Sequence, residues 1–276
     1  MRVTQRGVTM RRVAFFIIFG LTISLTPFKT DAQQRGGGRG GAPQPPATAK
    51  AGAPIDLTGY WVSVVTEDWR YRMFTPRKGD YQGLPLNQAA RQIADAWDPA
   101  KDETAGDQCK SYGAANIMRV PERIHITWQD DQTMKIETDA GMQTRLLYFG
   151  NPEGQGGTWQ GVSKASWDDD AGFGVKNELF DRAFGSVGGR PKASSMKIVT
   201  TKLKPGYIRR NGVPYSANAV VTEYFDQVKE RNGDTYLIIT TTVEDPTYFT
   251  MPYYTSSNFR KLANATGWNP SPCASR

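Results

Sequence analysis

The segment at residues 123–149, RIHITWQDDQTMKIETDAGMQTRLLYF, contains three runs in which apolar and polar residues alternate, separated by two short polar turns. Alternation with a period of two is typical of β-strands that bury one face. If both loops have three residues, Gln129 pairs with Thr133, and Thr138 pairs with Met142. This register predicts an antiparallel meander with one apolar and one charged face, because a shift of one residue would mix the two sets.

The predicted register assigns each side chain of the meander to a face. The apolar face collects Ile124, Ile126, Trp128, Met134, Ile136, Thr144, Leu146 and Tyr148. The charged face collects Arg123, His125, Thr127, Lys135, Glu137, Gln143 and Arg145. On the charged face, His125 lies opposite Glu137, and Lys135 lies opposite Arg145.

Strand signals continue beyond the meander. Runs of β-branched and aromatic residues predict strands at residues 56–66, 196–203, 219–225 and 236–243. The dipeptide Asn232-Gly233 predicts a hairpin turn between the last two of these strands. Many short strands with turn signals predict a mainly β protein, a closed or nearly closed antiparallel barrel with one or two short helices.

Two other segments interrupt the strand pattern. Residues 86–97 have apolar side chains at helical spacing, so we expect a helix that Asn87 caps and Asp98-Pro99 ends. Residues 245–259 are rich in aromatic residues and prolines, and we expect them to cross the end of the sheet as a loop-like strap.

The first 54 residues carry the excess positive charge of the chain. They contain eight of the 34 Lys and Arg residues but one of the 27 Asp and Glu residues, so the remainder is formally neutral. The net charge of +7 therefore gives no support to a nucleic-acid partner.

Export is the simplest explanation of this amino-terminal region. Residues 1–32 combine a basic start, an apolar run and small residues, as in a cleaved signal peptide, with a single membrane anchor as the alternative. Residues 33–54 are rich in Gly, Pro and Arg, which predicts a disordered linker able to contact an anionic envelope surface. We therefore expect the protein in the periplasm or outside the cell.

The remaining residues, 55–276, are enough for one domain with one core. In an oxidising compartment, Cys109 and Cys273 can form a disulfide that restrains the final segment, although two free thiols are the alternative. A single histidine and two distant cysteines do not make a zinc-binding pattern, and no cofactor or metal is predicted.

Two motifs resemble known proteins. The segment Thr58-Gly59-Tyr60-Trp61 resembles the Gly-x-Trp opening strand of lipocalin-like, calycin-type barrels, in which the tryptophan plugs one end. A longer ordered series covers residues 55–265: Cys109-x-x-Tyr112-Gly113, Met118-x-x-Pro121, Ile124-x-Ile126, Arg145, Thr158-Trp159-Gln160-Gly161-x-Ser163, Trp167, Val199-x-Thr201, Gly212-x-Pro214-x-Ser216, Glu223 and Asp245-Pro246.

This series resembles a large group of exported bacterial lipocalin-like β-barrel proteins of unassigned activity. The resemblance implies the fold and the compartment. Members often have His at the position of Val162, and His-Ser-Glu at residues 215–217, where this chain has Tyr-Ser-Ala. Any chemistry those histidines perform elsewhere is therefore not expected here.

The chain also departs from the group by an insertion at residues 168–195, with a possible short helix at residues 176–184. Loops of this length are often functional, so we hypothesise a lid over one barrel mouth. A contact surface or a solvated insertion is the alternative.

Catalytic candidates are few. His125, Glu137 and Arg145 could act as a base, an orienting carboxylate and an oxyanion clamp in proton abstraction or elimination. The alternative is a solvated sheet face of mixed charge. The Gly-x-Ser-x-Gly motif of serine hydrolases is absent from the sequence.

Aromatic residues with nearby polar anchors favour binding of a small molecule. The candidates are Trp61, Trp69, Arg70, Arg72, Tyr112, Trp128, Tyr148, Trp159, Trp167, Glu223 and Tyr224. Each tryptophan could instead pack in the core, and each of the polar anchors Arg70, Arg72, Arg145 and Glu223 could instead form a structural ion pair.

The sequence thus predicts that the barrel binds a small amphipathic molecule, aromatic or sugar-derived, in its interior or at one mouth. One alternative is a cofactor-independent lyase, isomerase or hydrolase that uses His125 and Glu137. The other is a structural or assembly module near the envelope.

Overall fold

The computed structural model describes residues 48–152, 154, 156–168 and 195–275. The predicted signal peptide and most of the predicted linker lie outside the described residues. The interior of the insertion, with its predicted helix and the lid hypothesis, also lies outside them.

Eleven strands lie in the described residues, and nine of them form a closed barrel. The barrel strands are β1 (Gly59–Val64), β2 (Arg123–Trp128), β3 (Thr133–Thr138), β4 (Thr144–Tyr148), β5 (Val162–Asp168), β6 (Ser195–Thr201), β9 (Val220–Lys229), β10 (Thr235–Glu244) and β11 (Tyr253–Leu262). Strands β7 (Gly206–Arg209) and β8 (Val213–Tyr215) form a separate two-stranded sheet. The order around the barrel is β1-β11-β10-β9-β6-β5-β4-β3-β2. The predicted mainly β, lipocalin-like barrel is therefore confirmed.

One strand contact departs from the predicted antiparallel pattern. Strands β4 and β5 run parallel, with Leu147 beside Ser163. Parallel neighbours require a connection that returns along the sheet, and the chain between β4 and β5 makes this return. All the other neighbouring pairs in the barrel are antiparallel.

Three short α-helices lie in the described ranges, where one or two were predicted. They are α1 (Trp69–Met73), α2 (Gln88–Asp95) and α3 (Pro99–Thr104), and 3-10 turns follow at Gln108–Tyr112 and Ile117–Arg119. The predicted cap of α2 is confirmed, because the Asn87 side chain accepts a hydrogen bond from Ala90 N at 3.0 Å. Helix α2 ends at Asp95, before the predicted stop, and Asp98-Pro99 instead starts α3, with Asp98 as N-cap and Pro99 in the first turn.

The first hairpin of the meander has the predicted register, but the second does not. Gln129 N donates to Thr133 O at 2.9 Å, as expected for a three-residue loop. In the second hairpin, Thr138 N donates to Gln143 O at 3.0 Å, so the loop has four residues. The extra loop residue is Met142, which has a positive φ of 49° directly after Gly141.

The longer loop turns every side chain of β4 to the other face of the sheet. Arg145 pairs across the strands with Ile136, and Leu147 pairs with Met134, so both point inward with these core residues. The predicted pairing of Lys135 with Arg145 is wrong, since Leu146 lies opposite Lys135.

The predicted loop-like strap at residues 245–259 is also wrong from Tyr253 onward. Strand β11 begins there and closes the barrel by pairing with both β10 and β1. Its inward positions include Ser257 beside Phe259, so hydroxyl-bearing residues break the apolar alternation that would have indicated a strand.

Two clusters of buried apolar side chains fill the molecule. One lies inside the barrel and includes Trp61, Ile136, Leu147, Phe225 and Phe259, each with no accessible surface. A void large enough to hold water would leave accessible surface on the side chains around it. These five side chains have none, so this part of the barrel is filled by side chains.

The other cluster lies where β1 ends and β2 begins, which we call the helical end of the barrel. Residues 65–122 cross this end and pack, with the β7–β8 sheet, against the ends of β9, β10 and β11. The predicted disulfide between Cys109 and Cys273 is confirmed, and it ties the carboxyl-terminal segment to the 3-10 turn at Gln108–Tyr112.

Candidate functional site

Inside the barrel, near the helical end, lies a ring of polar side chains that we call the polar belt. Each barrel strand, or the residue directly before it, contributes an inward position. The belt consists of Ser63, Glu122, Thr138, Arg145, Ser163, Thr200, Glu223, Thr241, Thr255 and Ser257. A barrel that needed only a structural core would place apolar side chains here, so the belt is the first candidate for function.

The centre of the belt is a buried ion pair between Arg145 and Glu223, which are 2% and 0% exposed. Arg145 also donates from Nη2 to Thr200 Oγ1 at 2.7 Å and from Nε to Ser163 Oγ at 3.1 Å. The two hydroxyls lie 2.8 Å apart. This network fixes the Arg145 guanidinium in the barrel and corresponds to the structural ion pair that was the alternative to ligand anchoring.

Several buried polar atoms of the belt have no hydrogen-bond partner among the described residues. They are Arg145 Nη1, Glu223 Oε1, Thr255 Oγ1, Ser257 Oγ and both carboxyl oxygens of Glu122. A buried polar atom without a partner costs about 1–3 kcal/mol, and native proteins have few of them. The belt therefore keeps hydrogen-bonding capacity that the protein itself does not use.

The belt meets the outside at a groove between β1, α1 and the chain that enters β2. We call it the α1 groove. It has a volume of about 510 Å³ and is lined by Val62, Ser63, Val65, Met73, Pro121, Glu122 and Arg123. Four of its seven lining residues are apolar, and the belt residues Ser63 and Glu122 also line it, although the two carboxyl oxygens of Glu122 are buried.

Glu122 has the most perturbed environment in the groove. It is 5% exposed, and burial raises the pKa of its carboxyl well above the usual 4.5, with the nearby charge of Asp139 acting in the same direction. The charge of Arg72 and the nearby Thr138 hydroxyl oppose this shift but do not cancel it. Glu122 therefore keeps its proton to a higher pH than an exposed glutamic acid, and a protonated carboxyl both donates and accepts hydrogen bonds.

Arg72, a predicted anchor, lies beside the groove. Its Nη2 donates to Ser63 Oγ at 3.0 Å, and its Nε donates to Arg119 O at 2.9 Å. It also forms an ion pair with Glu67. Arg72 therefore joins α1 to the inner face of β1 and to the segment before β2.

The structure does not bring the three predicted catalytic residues together. His125 and Glu137 lie on the outer face of the barrel, where the imidazole stacks on Tyr60 with ring centroids 4.0 Å apart. Glu137 Oε2 lies 3.5 Å from His125 Nδ1 and 3.1 Å from Lys135 Nζ. Arg145 points into the barrel, so the sheet separates it from the other two.

The predicted ligand-binding residues are spread over several regions. Trp61 and Tyr112 are buried in the barrel cluster. Trp128 and Trp167 contact Phe149 at the end opposite the helical end. Tyr148 and Tyr224 are half-buried outer residues, and Trp159 carries Lys204 Nζ 4.0 Å above its ring. Trp69 and Arg70 are exposed on α1, with Arg70 paired to Asp80 at 2.7 Å.

Sequence reasoning missed most of the groove, including Glu122, Ser63 and Met73. For Glu122 the sequence did contain an indication. Glu122 lies two residues before Ile124 and four before Ile126, so it falls on the same face of the strand as these two residues. Extending the alternation by two residues would have placed this carboxyl inside the barrel. Met73 lies on a helix of five residues, which is too short to show a repeated spacing of apolar side chains in the sequence.

Comparison of the chain with protein-family models, curated proteins and solved structures found no match. In the described ranges, no helix is long and apolar enough to cross a membrane. Within the same ranges, no group of three or more His, Cys, Asp or Glu side chains is arranged to hold a metal ion. Function must therefore be argued from the geometry of the belt and the groove.

Proposed function

We propose that this protein binds a small amphipathic molecule, aromatic or sugar-derived, in the α1 groove. One observation carries the proposal: a groove of about 510 Å³ lies against Ser63 and Glu122, and the Glu122 carboxyl is buried beside it with neither oxygen in a well-formed hydrogen bond to the described residues. Sites for small molecules typically measure roughly 300–1,000 Å³ and combine apolar walls with a few polar groups.

The apolar part of the ligand is expected to contact α1. Of the seven exposed large hydrophobic side chains in the described residues, three follow one another closely here, namely Trp69, Met73 and Phe74. Trp69 and Met73 are four residues apart, so they lie on the same side of the helix, and Met73 lines the groove. Exposed apolar side chains grouped in this way mark a contact surface.

The polar part is expected to bind at Ser63 and at the Glu122 carboxyl, which a ligand reaches when this buried side chain turns toward the groove. A protonated carboxyl can donate to a hydroxyl or carbonyl oxygen and can accept from a hydroxyl, which matches a sugar-derived or phenolic group. An uncharged polar group suits this position, because a buried charge would require a matching countercharge.

We also propose that the protein works outside the cytoplasm. The Cys109–Cys273 disulfide supports this location, since disulfides persist in oxidising compartments and are rare in the cytosol. The predicted signal peptide agrees with it but lies outside the described residues.

Two uncharged fluorescent probes test the proposal: N-phenyl-1-naphthylamine, which is aromatic, and 4-methylumbelliferyl glucoside, an aromatic glycoside. We expect saturable binding of at least one probe with one site per chain. Met73→Asp should weaken it about tenfold, because a charge replaces an apolar contact in the groove wall.

Met251→Asp is the matched control, because Met251 is a 63% exposed methionine outside the groove. Binding to this variant should equal that of the wild type. The proposal fails if neither probe saturates, or if both substitutions weaken binding equally.

A further inference from the structure

Four arginines, Arg72 among them, line one small cavity. We call it the arginine cavity. Its lining comprises Tyr71, Arg72, Asn116, Arg119, Val120, Ile208, Arg209 and Arg210. It is partly open and has room for about 10 Å³, roughly one water-sized group.

Two of the four guanidinium groups have carboxylate partners. Arg72 pairs with Glu67, and Arg119 Nη2 lies 2.9 Å from Asp68 Oδ2. These contacts leave Arg119 Nη1 buried without a hydrogen-bond partner among the described residues, on a side chain that is 7% exposed. Arg119 therefore lines the cavity and also has a buried donor that the described residues do not use.

The other two arginines are held by neutral groups. The Arg209 guanidinium donates to Gln82 O at 3.2 Å and stacks 4.1 Å from the centre of the Tyr71 ring. Arg210 Nη2 donates to Arg72 O at 2.5 Å. Neither forms an ion pair with a carboxylate of the described residues, so the lining has two positive charges in excess.

This excess charge is costly in a partly buried place. Burial lowers the pKa of Arg72, Arg209 and Arg210 from their usual values, and the charge of Arg119 acts in the same direction on Arg72 and Arg209. An anion in the cavity would offset the repulsion, and a small movement of the Arg119 side chain would let the buried Nη1 donate to it. Guanidinium groups match the oxygens of carboxylates and phosphates in both charge and geometry.

We propose that the arginine cavity is a binding site for one oxyanion group, with one oxygen inside the cavity and the rest of the anion across its opening. The site is separate from the α1 groove and requires a negative charge, whereas the groove is proposed to bind an uncharged group. The two proposals can therefore fail independently.

Isothermal titration calorimetry at constant ionic strength, set with sodium chloride, tests the site with inorganic phosphate, acetate and phenyl phosphate. We expect one phosphate or acetate per chain. Phenyl phosphate binding more tightly than inorganic phosphate would assign the site to the head of a larger molecule, and equal binding would assign it to a free ion.

Arg119→Gln should weaken anion binding about tenfold or more, since it removes a charged donor. Arg210→Gln should do the same without breaking an ion pair, which covers the case in which the first variant does not fold. Arg70→Gln is the control. Arg70 lies on α1 like the lining residue Arg72, but it is 63% exposed and pairs with Asp80 outside the cavity, so this variant should bind anions normally.

The proposal is overturned if none of the three anions binds to the wild type. It is also overturned if folded Arg119→Gln and Arg210→Gln proteins, verified by near-ultraviolet circular dichroism, bind anions as the wild type does. Uncharged probes that fail to bind in the groove would leave this result unaffected.

Discussion

Replacing Glu223 by Leu is expected to lower the free energy of unfolding by about 3–5 kcal/mol, the usual cost of leaving a buried charge unpaired. Glu223 has no accessible surface, and Arg145 is 2% exposed. After the substitution, the guanidinium would retain the hydroxyls of Ser163 and Thr200 but no countercharge. A domain of this size is stable by roughly 5–15 kcal/mol, so the loss is readily measured.

The double variant Arg145→Met/Glu223→Leu should be more stable than Glu223→Leu alone. A buried ion pair that is replaced by apolar residues of similar volume often costs little, because the desolvation penalty of both charges disappears. Urea unfolding followed by tryptophan fluorescence, applied to the wild type, Arg145→Met, Glu223→Leu and the double variant, gives four free energies and hence the coupling between the two residues. Strictly additive effects, or a loss below about 1 kcal/mol for Glu223→Leu, would refute the ion-pair reasoning.

Two further predictions concern stability. Replacing both Cys109 and Cys273 by Ser should cost about 2–5 kcal/mol in urea unfolding, because the disulfide closes a loop with a sequence separation of 164, and a loss below 1 kcal/mol would contradict the role assigned to it. Because burial raises the pKa of Glu122, its contribution to stability is complete below about pH 4.5 and is lost as the pH rises through the folded pKa. Glu122→Gln removes this dependence on pH. When the free energy of unfolding is measured between pH 4.5 and 8, the wild type should therefore lose stability relative to the variant as the pH rises. A difference between the two proteins that does not change with pH would contradict the raised pKa.

The fold was predictable where alternation was clean. The first hairpin of the meander, the Asn87 cap and the strands β6, β9 and β10 follow from local patterns of side chains. These elements are determined by neighbours in sequence, which is the information that a single chain provides.

The position of Arg145 was not predictable in the same way. Its face depends on whether the loop before β4 holds three or four residues, and both lengths are common for hairpins containing glycine. A single extra residue, Met142, moved the guanidinium from the predicted outer face to the centre of the barrel. The predicted catalytic group with His125 and Glu137 depended on that one register.

Strand β11 and the polar belt were missed for a related reason. Inward hydroxyl groups such as Ser257 make a strand look polar on both faces, although they are buried in the closed barrel. Burial of polar side chains at matched heights is a property of the tertiary structure, since it depends on which strands become neighbours. The groove and the arginine cavity form from α1, residues 116–123, the end of β1 and residues 208–210, which are distant in sequence.

The most direct test of the proposed binding site is a nuclear magnetic resonance titration of the protein labelled with ¹³C at its methionine methyl groups. Addition of the uncharged probe that binds should shift the Met73 resonance with the same dissociation constant as the fluorescence change, while the resonance of Met251 stays in place. Saturable binding that leaves Met73 unmoved and shifts methionines elsewhere would contradict a ligand site in the α1 groove.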